Sequence, residues 1–96
     1  MIRTFALIST LALTACQDEA ARERECYDRL AADFEAARVF GGQQSSAAGW
    51  GSDEAVSWQN YALTAAESAL SISLIYSDDD RNACDYVSNG ASLERK

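Results

Sequence analysis

The sequence predicts an all-α fold, in which a small antiparallel helical hairpin and a short third helix are stapled by one disulfide. Two long segments carry apolar residues at helical spacing, and a segment rich in glycine and serine separates them. Two cysteines fall where the ends of such helices would meet. With 96 residues, the chain forms one domain at most.

The first helix is indicated by an apolar face with spacings of four, four and three residues. Its members are Cys26, Leu30, Phe34 and Ala37. Asp18 and Glu19 suit a helix start because carboxylates favour the positive end of the helix dipole. Gly41 and Gly42 follow directly and are typical of a helix end, so the predicted range is 18–40.

The second helix has the clearer pattern and is predicted over 53–76, after a loop over 41–52. Ser52 is the expected N-cap, and two carboxylates follow it in the first turn. A heptad seam with an alanine centre allows close approach of a neighbouring helix. That seam consists of Ala55, Trp58, Ala62, Ala65, Ala69, Ile72 and Tyr76.

A second apolar stripe runs beside the seam. Its members are Val56, Leu63, Leu70 and Leu74. A helix with two adjacent apolar stripes contacts two neighbours, or one neighbour and a partner protein. We expect the stripe to form core in a three-helix bundle, and we retain Val56, Leu63 and Leu70 as candidate partner-binding residues.

The third helix is predicted to be short. A turn over 77–80 precedes it, Ala83, Cys84 and Val87 share one side, and Asn89-Gly90 closes it. The helical domain therefore spans 18–90, and residues 91–96 are expected to be a frayed tail.

Residues 1–15 have the pattern of a secretion signal. Arg3 lies near the free amine, and an uncharged, mostly apolar stretch follows that is too short for a comfortable bilayer span of about 20 residues. Leu13-Thr14-Ala15-Cys16 resembles the lipobox of bacterial lipoproteins, in which a branched apolar residue and two small residues precede a cysteine. The alternative is an ordinary signal peptide cut after Ala15, with Cys16 unmodified.

The lipobox resemblance implies cleavage before Cys16, a lipid on its sulfur, and acylation of the new amine. Several acyl chains anchor a protein stably. Residues 16–25 would then form the lipidated cysteine and a tether, or the first turns of the helix. Gln17, rather than Asp, follows the cysteine, which for such lipoproteins implies the outer membrane facing the periplasm.

The cysteine count is consistent with lipidation. If Cys16 carries lipid, an even pair remains, Cys26 and Cys84, and an oxidising compartment favours their bond. In the predicted hairpin both lie at similar depths, so the bond is within reach. We interpret it as structural rather than redox-active or metal-binding, because the two are far apart and no CxxC is present.

Composition excludes several classes of function. The chain has no histidine, which rules out histidine-activated nucleophiles and histidine metal sites. Loss of Arg3 leaves 7 Lys and Arg against 15 Asp and Glu, a net charge of −8 that repels nucleic acid. We expect no enzyme activity and no cofactor.

One partial metal motif is present. Asp78, Asp80 and Asn82 resemble the opening of a calcium loop, but Ala83 replaces its glycine and Asn89 its closing glutamate. Helix capping is the simpler interpretation.

Trp50 lies between two glycines in the loop. It is either an exposed anchor for a partner or a lid that packs near Trp58 or Phe40, and we expect the lid.

These features favour a membrane-anchored envelope lipoprotein that binds another envelope protein. A second possibility is an acidic inhibitor of a cationic enzyme, since the composition and disulfide layout are similar to those of small helical lysozyme inhibitors of bacterial envelopes. A structural or lysis-type spacer is the third.

Overall fold

A computed structural model describes residues 18–96 with their side chains, and within residues 2–17 it gives only a helical backbone. Two long helices pack as a hairpin, and a β-hairpin covers one side of them. The elements are α1 (Ile2–Ala48), α2 (Asp53–Tyr76), a 3₁₀ turn (Ala83–Asp85), β1 (Tyr86–Asn89) and β2 (Ser92–Arg95). The mostly helical hairpin and its disulfide confirm the coarse prediction, whereas an all-α fold is wrong.

The boundaries of α2 are those predicted. Ser52 is the N-cap, and its side chain accepts a hydrogen bond from the backbone N–H of Ala55 at 3.1 Å. Asp53 and Glu54 stand in the first turn, where their charges favour the helix dipole.

The predicted bounds of the first helix, 18–40, are wrong, because α1 begins at Ile2 and continues to Ala48. Gly41 is buried against α2, and a Cβ atom on it would stand 3.0 Å from the carbonyl oxygen of Trp58. The glycine therefore provides room for close helix packing and does not end the helix. A helix interior tolerates glycine at a cost of about 1 kcal/mol, which contact with α2 offsets.

The predicted third helix is also wrong. Residues 83–85 form a single 3₁₀ turn, and the chain then enters β1, which pairs antiparallel with β2. Gly90 has φ 60°, and Asn89 pairs with Ser92 across a two-residue turn. The two turn residues are Gly90 and Ala91, because Asn89 is the last residue of β1. A glycine at the first of the two turn positions is typical of a hairpin, and here it turns the chain instead of ending a helix.

The tail expected to be frayed over 91–96 is ordered. Residues 92–95 form β2, and Ala91 is buried. The backbone N–H of Lys96 donates to the carbonyl oxygen of Asp85 at 2.8 Å, which ties the end of the chain to the 3₁₀ turn.

The β-hairpin packs on one side of α2 through residues spaced seven apart, Tyr61, Ser68 and Ile75. The buried Ser68 hydroxyl donates to the Ala91 carbonyl oxygen at 2.6 Å. The ring of Tyr61 lies against Gly90. The β-hairpin thus covers the side of α2 that carries Tyr61, Ser68 and Ile75.

The main core lies at the end of the helical hairpin near the disulfide. It consists of Leu30, Phe34, Ile72, Ile75 and Ala83. Cys26 and Cys84 are bonded, with their Cα atoms 5.1 Å apart, and Tyr27 stacks on Tyr76 beside them. The predicted disulfide is confirmed. Of the residues described with their side chains, no helix combines the length and the apolar character that crossing a bilayer needs.

Candidate docking surface

The second apolar stripe of α2 is exposed. We call Val56, Leu63, Leu70 and Leu74 the α2 stripe. Their exposed fractions are 47%, 60%, 64% and 63%. The expectation that this stripe forms core in a three-helix bundle is wrong, because the chain places a β-hairpin, not a helix, beside α2 and does so on another side. Single exposed apolar residues are ordinary on protein surfaces, but four aligned along one helix form a stripe of a kind that marks binding sites.

The position of the α2 stripe follows from helix geometry. Residues seven apart drift by only about 20° around a helix, so Val56, Leu63 and Leu70 stay aligned. Tyr61 precedes Leu63 by two residues, which places the two about 160° apart at 3.6 residues per turn. The β-hairpin therefore lies on nearly the opposite side of α2, and no described residue packs over the stripe from that side.

The exposed surface of α2 is poor in charge. From Val56 to Tyr76 the only charged residue is Glu67, and the other exposed polar positions are Ser, Thr, Asn and Gln. By contrast, the segment 22–38 of α1 carries nine charged residues. Charge depletion together with exposed apolar side chains is the composition of an interface centre.

Trp50 stands at the tip of the helical hairpin and is fully exposed, with 102% of its reference area accessible. The expectation that it packs near Trp58 or Phe40 is wrong. Trp58 instead contacts Phe40 and Tyr61 edge-on, with ring centroids 5.4 and 5.5 Å apart. Phe40, Trp58 and Tyr61 thus form an aromatic cluster to which Trp50 does not belong.

The turn that carries Trp50 is well defined. Gly49 and Gly51 on either side have φ 94° and 82°. The Ser52 hydroxyl donates to the carbonyl oxygens of Ala48 and Gly49 at 3.2 and 2.9 Å. The indole is therefore presented on a short, hydrogen-bonded turn, and Val56 follows it one helical turn into α2.

A shallow groove of about 550 Å³ runs between α1 and α2 beside Leu63. The small residues Gly42, Ala62 and Ala66 are among those that line it. Arg38 lines one edge, and its guanidinium bonds the Glu35 carboxylate at 2.6 Å. This hydrogen bond lowers the pKa of Glu35 and raises that of Arg38. The groove widens the apolar surface from Leu63 toward α1.

The acidic turn uses its oxygens in local hydrogen bonds. The Asp78 carboxylate accepts from the backbone N–H of Asp80 at 2.9 Å and lies 3.4 Å from Arg81 Nε. The Asn82 side-chain oxygen accepts from the backbone N–H of Cys84 at 2.8 Å. Over residues 18–96 no three acidic or cysteine side chains cluster as metal ligands.

Residues 1–15 and Cys16 lie outside the residues whose side chains the structure describes, so the signal peptide and the lipidation of Cys16 stay predictions. Of the candidate partner-binding residues, Trp50, Val56, Leu63 and Leu70 are all exposed and lie along α2 and the turn before it. Leu74 extends the same stripe and was absent from the candidate set, although its spacing of four from Leu70 placed it there. No protein family, curated protein or solved structure was found to match this chain.

Proposed function

We propose that the chain is a small bacterial envelope lipoprotein, anchored through Cys16 to the outer membrane and facing the periplasm. In this proposal the helical hairpin is a binding module that docks on an envelope protein through Trp50 and the α2 stripe. The lipobox-like Leu13-Thr14-Ala15-Cys16 supports the anchor. The pairing of Cys26 with Cys84 supports an oxidising compartment, and it leaves Cys16 as the odd cysteine.

The single observation that carries the docking function is the exposure of the α2 stripe on a charge-poor helix. Burial of apolar area stabilises by about 25 cal/mol per Å², so this surface gains from a protein partner. Trp50 packs on none of the residues whose side chains the structure describes, and it adds a side chain of the type that dominates binding energy.

Affinity capture from native envelope extract tests this function. The membrane-extracted protein serves as bait at low and at high salt, beside a variant that carries Leu63→Ser and Leu70→Ser. We expect one stoichiometric partner that survives high salt with the native protein and is lost with the double variant. Apolar docking resists salt because screening acts on charges.

Val39→Ser is the matched control, because Val39 is an apolar residue of α1 that is 41% exposed and lies outside the stripe. It should retain the partner. Capture that is equal for the native protein and for the double variant would contradict docking through α2.

The acidic surface favours one second candidate, an inhibitor of a cationic enzyme. Its support is the net charge of −7 for the whole chain, or −8 after loss of Arg3. Such binding should weaken strongly as ionic strength rises through the physiological range. A cationic hydrolase that is retained only at low salt, equally by the native protein and by the double variant, would favour this candidate.

A further inference from the structure

We infer that the α2 stripe docks on the same stripe of a second copy of this chain, with the two α2 helices antiparallel. This inference rests on the proposed function, in which the α2 stripe binds a protein. It adds that the bound protein is a second copy of the same chain. Closed two-fold pairs are the commonest assemblies of identical chains, and each copy then offers the same patch to the other.

The stripe is complementary to itself about Leu63. Val56 and Leu70 lie seven residues before and after it, so an antiparallel pair centred there places Leu63 against Leu63. The same register places Val56 of one copy against Leu70 of the other. Ala66 on the adjoining surface is small enough to let the two helices approach closely.

One charge on α2 selects this orientation. In the antiparallel register Glu67, which lies about 40° around the helix from Leu63, faces Gln59 of the other copy. The carboxylate thus meets an amide, which can donate a hydrogen bond to it. A parallel pair in register would instead bring the two Glu67 carboxylates close together, and like charges repel.

The antiparallel register also accounts for the remaining apolar residues. Leu74 of one copy falls opposite Ser52 of the other, and Trp50 stands beside that position on its short turn. The exposed indole of each copy therefore lies within reach of the partner's Leu74. All exposed large apolar side chains of α2, and Trp50, enter one contact surface.

The contact area sets the strength of the pair. Val56 to Leu74 spans about 27 Å of helix. With the indole, this face buries on the order of 500 Å² per copy, less than the roughly 800 Å² of standard stable interfaces. We therefore expect a weak, micromolar pair in solution. A lipid anchor confines the copies to one surface, which raises their effective concentration and populates the pair.

Cysteine crosslinking in the intact chain in its native membrane tests the register. Leu63→Cys should form a disulfide-linked dimer under mild oxidation, with about tenfold more dimer than Thr64→Cys, because bonded cysteines need Cα atoms within about 7 Å. Thr64 is the control because it is exposed and lies about 100° around the helix from Leu63. The chain without either substitution gives the background from its own cysteines.

Two further variants report the orientation. Val56→Cys and Leu70→Cys should each crosslink poorly alone and well when the two are produced together. Crosslinking of Val56→Cys alone, without the mixed product, would overturn the antiparallel pair. So would equal dimer yields from Leu63→Cys and Thr64→Cys.

The two proposals fail in different ways. Crosslinking of Leu63→Cys to a different protein, with no self-dimer, would overturn the second-copy inference and leave the docking function standing. If no stripe cysteine crosslinks to any protein, both are overturned. If the protein from its native source forms the self-dimer but carries no lipid on Cys16, the second-copy inference stands and the lipid anchor is overturned.

Discussion

Gly41 of α1 lies so close to Ala62 of α2 that a Cβ atom on Gly41 would stand 3.1 Å from the Cβ atom of Ala62. The backbone nitrogen of Ala62 would be equally near, at 3.1 Å. This is the point where the helix pairing depends on the absence of a side chain. The three alanines at the centre of the α2 seam serve the same close approach.

Gly41→Leu should therefore separate the helices and destabilise the fold by about 2 kcal/mol, since overpacking costs about 1–3 kcal/mol. Gly42→Leu is the matched control, because, beyond the local backbone of its own helix, no described atom lies within 4 Å of the Cβ position. It should leave the free energy of unfolding unchanged or raise it by up to about 0.8 kcal/mol through helix propensity. Urea unfolding of both variants measures the difference, and equal stabilities would contradict the packing described for Gly41.

Trp50→Ala should separate binding from stability. The exposed indole packs on nothing in the described chain, so the free energy of unfolding should stay within about 0.5 kcal/mol of the native value. Partner affinity should fall by at least about 2 kcal/mol. Titration calorimetry with the captured partner, or sedimentation for self-association, measures that loss. An unchanged affinity would show that Trp50 is not part of the docking surface.

Trp58→Ala is the contrasting variant. Trp58 packs edge-on against both Phe40 and Tyr61, so truncation should cost about 2–3 kcal/mol of stability. A stability change equal to that of Trp50→Ala would mean that the aromatic cluster contributes little.

Ser68→Ala should loosen the β-hairpin. The change removes the donor of a buried 2.6 Å hydrogen bond and leaves the Ala91 carbonyl without that partner, at a cost of about 1–2 kcal/mol. Amide hydrogen exchange over 86–95 should accelerate more than exchange within α2. Ser71→Ala, at an exposed position of the same helix, should change neither, and similar exchange in both variants would argue against the anchoring role of Ser68.

Reduction of the Cys26–Cys84 bond should lower stability substantially. The bond closes a loop with a sequence separation of 58, and chain entropy assigns about 4 kcal/mol to a loop of that length. Urea midpoints with and without reductant, compared with those of the Cys26→Ala and Cys84→Ala double variant, test this. A midpoint that is the same in all three samples would show that the disulfide is dispensable.

The long helices and the disulfide could be predicted because their patterns are local and periodic. The heptad seam of α2 set its bounds from Asp53 to Tyr76, and the Ser52 cap marked the start. The end of α1 was predicted wrongly because a glycine such as Gly41 can either end a helix or allow close contact with a neighbouring helix. Only the packing of α2 against Gly41 shows which of the two applies. Small or polar residues at positions 41, 44 and 48 continued the helical spacing and were the available signal.

The β-hairpin was missed because its strands are four residues long and contain few apolar residues. Asn89-Gly90 is typical both of a helix end and of a hairpin turn, and the alternation of Tyr86 with Ser88 was too short to decide. The same error explains why the α2 stripe was expected to be buried. The stripe was expected to lie against a third helix, and residues 83–95 form a 3₁₀ turn and a β-hairpin instead.

The intact mass of the membrane-extracted protein shows whether it is a lipid-anchored module. We expect a chain that has lost residues 1–15 and carries a lipid on the Cys16 sulfur and an acyl group on its amine. Fragmentation should place both modifications on that residue, with Cys26 and Cys84 still bonded. A mature chain that retains an unmodified Cys16 would contradict the anchor and with it the proposed place of the protein in the envelope.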